Sequence, residues 1–333
     1  MKKFLFSVLA VGELVACTKS EVKYDGETEI AFAPVSSVNT KAVGAIPSTT
    51  YPTDENFLVW AYWQDVPAGS DKNAYTDPKV KVYIDGKEFK NATNKLWKGA
   101  EKSYYWPKTG SMVFACVSPA NAPFYGGEKP QHNLFPKLNK PEEFNFNYVN
   151  SNNTAETRDL LWANCSLSYS EATAGTTGVP VEFKHALPWI TFRVRGTGAA
   201  IGAYKITGLT LNDVNTLAYF ESAGNGVWKT PADEKDYKVF EGSYPLTNSL
   251  VDLENNPAGT LVIPQSKAVD YTATLVYTNA LGDETITETI ELPLGTGWEI
   301  GKHYIYDITF SPKEILIAPT VADWVPVVKE INY

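Results

Sequence analysis

The run Tyr271-Thr272-Ala273-Thr274-Leu275-Val276-Tyr277-Thr278 alternates apolar and polar side chains, and after a short polar turn at 279–284 the run Thr285-Ile286-Thr287-Glu288-Thr289-Ile290-Glu291-Leu292 alternates again. A period of two marks a strand with one face in a core and one in water. Two such runs across a short turn predict an antiparallel hairpin with rows of Thr on its wet side. The same pattern recurs at Phe57 to Trp63, Phe144 to Tyr148, Ile190 to Arg195, Tyr204 to Leu211 and Tyr304 to Phe310, each bounded by Gly, Pro, Asn or Asp. A shorter hairpin is expected at Val80 to Phe89, where Asp85-Gly86 can adopt the positive φ of a tight turn. Helical periodicity is nearly absent. The 21 prolines and 23 glycines fit the same reading, because Pro is tolerated at strand edges and turns but not in central ladders. The chain is therefore expected to be all-β and built of sandwiches.

The N-terminus reads differently. Lys2 and Lys3 precede a short apolar run from Phe4 to Gly12, too brief to span a bilayer as a mature helix. That is the form of a cleavable signal. It ends in Leu14-Val15-Ala16-Cys17, which resembles the lipobox of bacterial lipoproteins. The resemblance implies that 1–16 are removed, that Cys17 carries lipid, and that the mature chain is held at the outer membrane, facing the cell surface. Glu13 departs from the pattern by placing a carboxylate in a stretch that should be apolar. No second apolar stretch of about 18 residues follows, so lipid is the expected hold on the membrane.

A chain of 333 residues is long enough for two domains, each with its own core. The clearest composition break is Ser170 to Gly178, small and polar throughout, which places the expected domains at 17–178 and 179–333. A hydrophobic content of 44% excludes a disordered chain, and a net charge of −9 argues against a nucleic-acid surface. Proteins or glycans are the expected partners. Cys116 and Cys165 remain as a candidate disulfide, which an oxidising compartment permits; Cys116, inside the apolar run Val113 to Val117, equally fits a small buried hydrophobe.

No catalytic constellation emerges. His132, His185 and His303 lack metal-ligand spacing. Lys108-Thr109-Gly110 and Ser20-Glu21-Val22-Lys23 match fragments of the penicillin-recognising pattern without its Ser-Asp-Asn element, and Gly196-Thr197-Gly198 lacks the helix that a phosphate loop needs. No enzyme, cofactor or metal is expected. The nine Trp and nineteen Tyr leave a second function open, a glycan platform, although Trp60, Tyr62 and Trp63 share a strand of which at least one face should be interior.

Several ordered motifs together resemble the fimbrillin family of Bacteroidales, subunits of surface pili and related lipoproteins. They are Tyr51-Pro52-Thr53 leading into Phe57 to Trp63, Tyr104-Tyr105-Trp106-Pro107 ahead of Met112 to Val117 and Ser118-Pro119, then Phe183-Lys184-His185-Ala186-Leu187, Leu261-Val262-Ile263-Pro264-Gln265, Gly301-Lys302-His303-Tyr304-Ile305-Tyr306 and Val321-Ala322-Asp323-Trp324. The likeness covers nearly the whole chain. It implies two transthyretin-like Greek-key β-sandwich domains in tandem, a lipoprotein precursor, and assembly with other fimbrillin subunits into an adhesive pilus by strand donation. A host or bacterial surface ligand would then be the target of adhesion.

In such families a protease cuts after the first strand and opens a groove for a neighbour's strand. Here the candidate strand is Glu29-Ile30-Ala31-Phe32-Ala33-Pro34, and the candidate processing site is Lys41-Ala42. The related proteins tend to carry Arg at that point, whereas the first Arg of this chain is Arg158. An uncut loop would keep the lipid attached and make the subunit a base anchor or a free surface lipoprotein. Candidate donor residues are Val325, Val327, Val328 and Ile331; Ile315-Leu316-Ile317 is a further β-prone run, and the C-terminal strand is equally well read as one that pairs in its own domain.

Overall fold

The computed structural model describes residues 24–36, 51–64, 81–93, 95–122, 143–154, 156–173, 178–253, 259–265, 271–293, 297–311 and 314–323. Cys17, Lys41, Ala42, His132, Val325, Val327, Val328 and Ile331 lie outside them.

The first half contributes β1 (Tyr24–Glu29), β2 (Phe32–Ser36), β3 (Phe57–Gln64), β4 (Lys81–Thr93), β5 (Leu96–Gly99), β6 (Tyr105–Pro107), β7 (Ser111–Ser118), β8 (Asn145–Val149), β9 (Leu161–Ser168), a one-turn helix α1 (Tyr169–Thr173) and β10 (Val179–His185). The second contributes β11 (Trp189–Gly196), β12 (Tyr204–Glu221), β13 (Val227–Pro245), β14 (Val251–Asp252), β15 (Thr260–Leu261), β16 (Tyr271–Asn279), β17 (Thr285–Leu292), β18 (Lys302–Phe310) and β19 (Ile315–Asp323). The chain is all-β, as the alternation predicts. No helix among the described residues is long and apolar enough to cross a membrane.

Seven strands close on themselves in the order β10-β2-β5-β4-β3-β7-β9, while β1 pairs with β6 beside them. Inside lies a core of Phe32, Phe57, Val59, Phe89, Trp97, Phe114, Leu161 and Phe183 among others. The second half forms two sheets, β14-β11-β18-β19 and β13-β12-β16-β17. Between them pack Phe192, Leu209, Tyr237, Leu275, Trp298, Tyr306 and their neighbours. The predicted hairpin forms in full, with Tyr271 opposite Leu292 and Thr278 opposite Thr285. Tyr271, Ala273, Leu275 and Tyr277 face the core, and Thr285, Thr287 and Thr289 face water.

A third core joins the halves. Leu58, Trp60 and Tyr62 on the outer face of β3 and Ala115 and Val117 on β7 meet Phe146 and Tyr148 of β8, Ala218 and Phe220 of β12, Leu261 and Ile263. Every residue of β3 and β7 is consequently buried. This explains why Phe57 to Trp63 is apolar on both faces: the strand has a core on each side.

Three local expectations change. Asp85-Gly86 lies within one continuous strand, β4, where two residues fall between the pairs Val59–Lys87 and Ala61–Ile84. Positive φ serves a bulge as well as a turn, and Gly86 at φ 52° is the bulge; a Cβ there would sit 2.9 Å from the Trp60 ring. Ser170 to Gly178 lies between β9 and β10, which pair with each other in the barrel, so this composition break falls within one sheet and the change of sheet comes after His185. The strand β8, from the first half, pairs instead with β12 of the second.

Candidate functional site

The second strand from the N-terminus, β2, is built into the barrel wall. All of β2 pairs in parallel with β10, from Phe32 opposite Val179 to Ser36 opposite Phe183. Its other side touches β5 through the single pair Phe32–Trp97. Val179 N donates to Ala31 O at 2.7 Å and Ile30 N donates to Tyr104 O at 2.7 Å. Alternation does the rest: Ile30 and Phe32 point inward and are fully buried.

Phe32 occupies the middle of an aromatic cluster, edge-on to Phe57 at 5.8 Å, Phe89 at 5.0 Å and Phe114 at 5.2 Å. Edge-to-face contacts are the favoured geometry for aromatic pairs. At the rim, Glu29 forms an ion pair with Lys98. Burial alone would raise the Glu29 carboxyl, but hydrogen bonds from Lys98 and Ser103 outweigh it and hold the group below its ordinary value. β2 thus closes the barrel with one ring in the core and one ladder on β10, and the Glu29 ion pair lies just ahead of it at the end of β1. Lys41 and Ala42 follow it, outside the described residues.

In the same core, Tyr51 stacks on Phe183 at 5.1 Å, and its hydroxyl hydrogen-bonds to Ser118 Oγ at 2.7 Å. Desolvation pushes this phenol well above its ordinary value, so it stays neutral. The motif Phe183 to Leu187 passes from one core into another. Phe183 lies inside the barrel, Lys184 Nζ stands 4.9 Å over the Trp162 ring, and Ala186 and Leu187 enter the joining core. Between them His185 Nδ1 lies 2.9 Å from Asp159 Oδ1 and 2.7 Å from Oδ2, with both side chains buried. Trp228 Nε1 donates to Ala186 O at 2.7 Å. Sequence reading missed the Asp159–His185 pair; a carboxylate directly ahead of the apolar run Leu160-Leu161-Trp162 was the available signal.

The remaining candidates are structural. Trp60, Tyr62 and Trp63 are 0%, 5% and 4% exposed, which removes them as a glycan platform. Thr109 O accepts from Trp63 Nε1 at 2.8 Å, and Gly198 at φ 55° serves a turn. His303 stacks on Trp189 at 3.7 Å and hydrogen-bonds to Thr191 Oγ1 at 3.0 Å through Nε2. Cys116 and Cys165 lie on the adjacent strands β7 and β9. Cys165 stands opposite Phe114 and Cys116 opposite Ala163, a diagonal relation across the β7–β9 pair. The run Ile315 to Ile317 pairs at home, because β19 lies along β18 from Ile315 opposite Phe310 to Asp323 opposite Lys302. Beyond Ile317 it is exposed throughout. Among the described residues no group of three or more His, Cys, Asp or Glu could hold a metal ion.

A fimbrillin-like family model matches residues 40–324. Among solved structures, a fimbrial protein from Bacteroides vulgatus superposes with a TM-score of 0.59 at 14% identity, covering 89% of this chain and 99% of the other. A candidate cell-adhesion protein from Bacteroides uniformis gives 0.52 at 15% identity over 90% and 100%, and one from Bacteroides ovatus gives 0.51 at 18% over 90% and 98%. At such identities the likeness is one of fold. No curated protein matches the chain by sequence.

Proposed function

The chain belongs to the fimbrillin-like family, and from that premise we propose that it is a non-enzymatic structural or anchoring subunit of a cell-surface fimbrium, exported as a lipoprotein through Cys17 and joined to its neighbours by strand exchange at the β2 slot. The observation that carries the proposal is the seating of β2. A strand that completes the barrel with a single buried ring, is paired over its full length on one side only, and precedes a candidate cut at Lys41 is a removable part. Its removal would uncover the free edge of β10 and the apolar pocket around Phe57, Phe89 and Phe114. An incoming strand satisfies both at once, the backbone by ladder bonds and the pocket by a side chain. Val325, Val327, Val328 and Ile331 of another copy are the proposed fillers, and other fimbrillin subunits the proposed partners. The outer membrane holds the precursor through its lipid. Fimbriae of this kind support adhesion to a host or bacterial surface.

The test is made on intact cells and on purified protein. Mass spectrometry of the mature N-terminus should find a lipidated Cys17, a free Ala42, or both, the first marking an anchor and the second a polymerising subunit. Full-length protein cut at Lys41 should then take up a synthetic peptide of residues 24–36 and release it to a subunit bearing an intact C-terminus. An N-terminus at neither position, together with no peptide uptake after cutting, would remove the proposal.

A further inference from the structure

The barrel holds β10 unequally. Five of its residues, Val179 to Phe183, pair with β2. On the opposite side β9 meets it only at Lys184 and His185, opposite Trp162 and Leu161. If β2 is the exchangeable strand, as proposed above, its departure strips Val179 to Phe183 of their ladder while β10 must stay in place to receive a successor. What remains is the far end of the strand. There the Asp159–His185 contacts at 2.9 and 2.7 Å join Ala186 N donating to Leu160 O at 2.8 Å, Trp228 Nε1 donating to Ala186 O at 2.7 Å, and Lys184 over Trp162.

From this asymmetry we infer that the buried Asp159–His185 pair is a clamp that keeps β10 in register while the β2 slot is empty. The inference rests on the reading of β2 as exchangeable. Chemistry favours this pair for the task. A buried carboxylate must keep its hydrogen-bond partner or bear the full cost of desolvation, so the contact resists sliding in a way that apolar packing does not. Since a slip of one residue would turn every β10 side chain to the wrong face, a fixed point at one end sets the register of the whole strand. With β2 in place the ladder sets that register as well, and the clamp is redundant. Asp159 and His185 are positioning residues: they act on an incoming strand through β10.

That redundancy makes the inference testable in the full chain by residue-resolved hydrogen exchange. Four proteins are compared: wild type, Phe32→Asp, His185→Gln and the double variant. Phe32→Asp puts a carboxylate among Phe57, Phe89 and Phe114 and expels β2. In that variant the amide hydrogens among 179–183, of which Pro180 has none, should exchange at least about tenfold faster, with 184–186 unchanged. His185→Gln alone should leave 179–183 within about threefold of wild type, because β2 still holds them. The double variant should lose protection at 184–186 as well. A double variant no different from Phe32→Asp overturns the clamp, as does a His185→Gln protein in which 179–183 are already exposed. If Phe32→Asp does not fold, Phe32→Ala in sub-denaturing urea replaces it with the same expectations. Failure of the 24–36 peptide to enter cut wild-type protein sinks strand exchange instead, and the exchange pattern still decides whether the pair holds β10.

Discussion

His303 shows how burial sets the behaviour of one side chain. Stacked on Trp189, it is desolvated first and repelled second by Arg193, and its value falls from 6.5 to about 4. The unfolded chain therefore takes up the proton before the folded chain does. The ring's neutral form supports stability in full above pH 6.5, and that contribution is lost as pH falls from 6.5 towards 4. Denaturant titrations should show a loss of roughly 2 kcal/mol across that window, discounted for partial exposure, and His303→Gln should lose less over the same range. Cysteine chemistry gives a second prediction at this scale. With Cys116 buried and its thiol pushed up by desolvation, the folded protein should react with a thiol reagent slowly at Cys116 and faster at half-buried Cys165. In denaturant without reductant both should react at once, and an absence of reactive thiol there would show that the diagonal pair does bridge.

At the scale of elements, alternation made the hairpin β16–β17 legible down to its register, because one wet face and one buried face write the period of two directly into the sequence. β3 was harder to read for the opposite reason. With a core on each side it has no polar face, and Trp60 and Tyr62 could be taken for exposed rings. The bulge in β4 was half legible: Asp85-Gly86 announced a positive φ, but only the partner strand decides whether that bend turns the chain or kinks it. Gly86→Ala should therefore cost about 1–3 kcal/mol, since the new Cβ meets the buried Trp60 ring and the φ of 52° strains any L side chain. Thermal unfolding checks this, and a variant as stable as wild type would mean that Trp60 can move aside. The parallel seat of β2 beside β10 was not legible at all. Nothing local to Phe32 to Ser36 names a partner so far along the chain, and only the family motifs pointed to an exchangeable first strand.

For the whole molecule, the decisive feature is the core that joins the halves. Phe220 is fully buried there, stacked on Phe146 at 5.0 Å and packed against Trp162 at 5.5 Å and Trp228 at 5.2 Å. The barrel and the two-sheet half should consequently melt together in one calorimetric transition. Phe220→Ala should remove about 3–5 kcal/mol and separate the melt into two steps, because the lost ring belongs to neither half alone. Two transitions in the wild-type protein would refute that coupling. The composition break at Ser170 to Gly178 gave no warning of it, since a connection within one sheet and a linker between domains share the same small polar residues.

The pairing of β8 with β12 also sets a clock. A chain synthesised N-terminus first presents Phe146 and Tyr148 well before Ala218 and Phe220 can meet them, and β2 likewise precedes the β10 to which it is laced. Long-range pairings of this kind form slowly and leave apolar strands uncovered in the meantime. Until β12 is in place, Leu58, Trp60 and Tyr62 on the outer face of the barrel wall lack the cover that Ala218 and Phe220 give them.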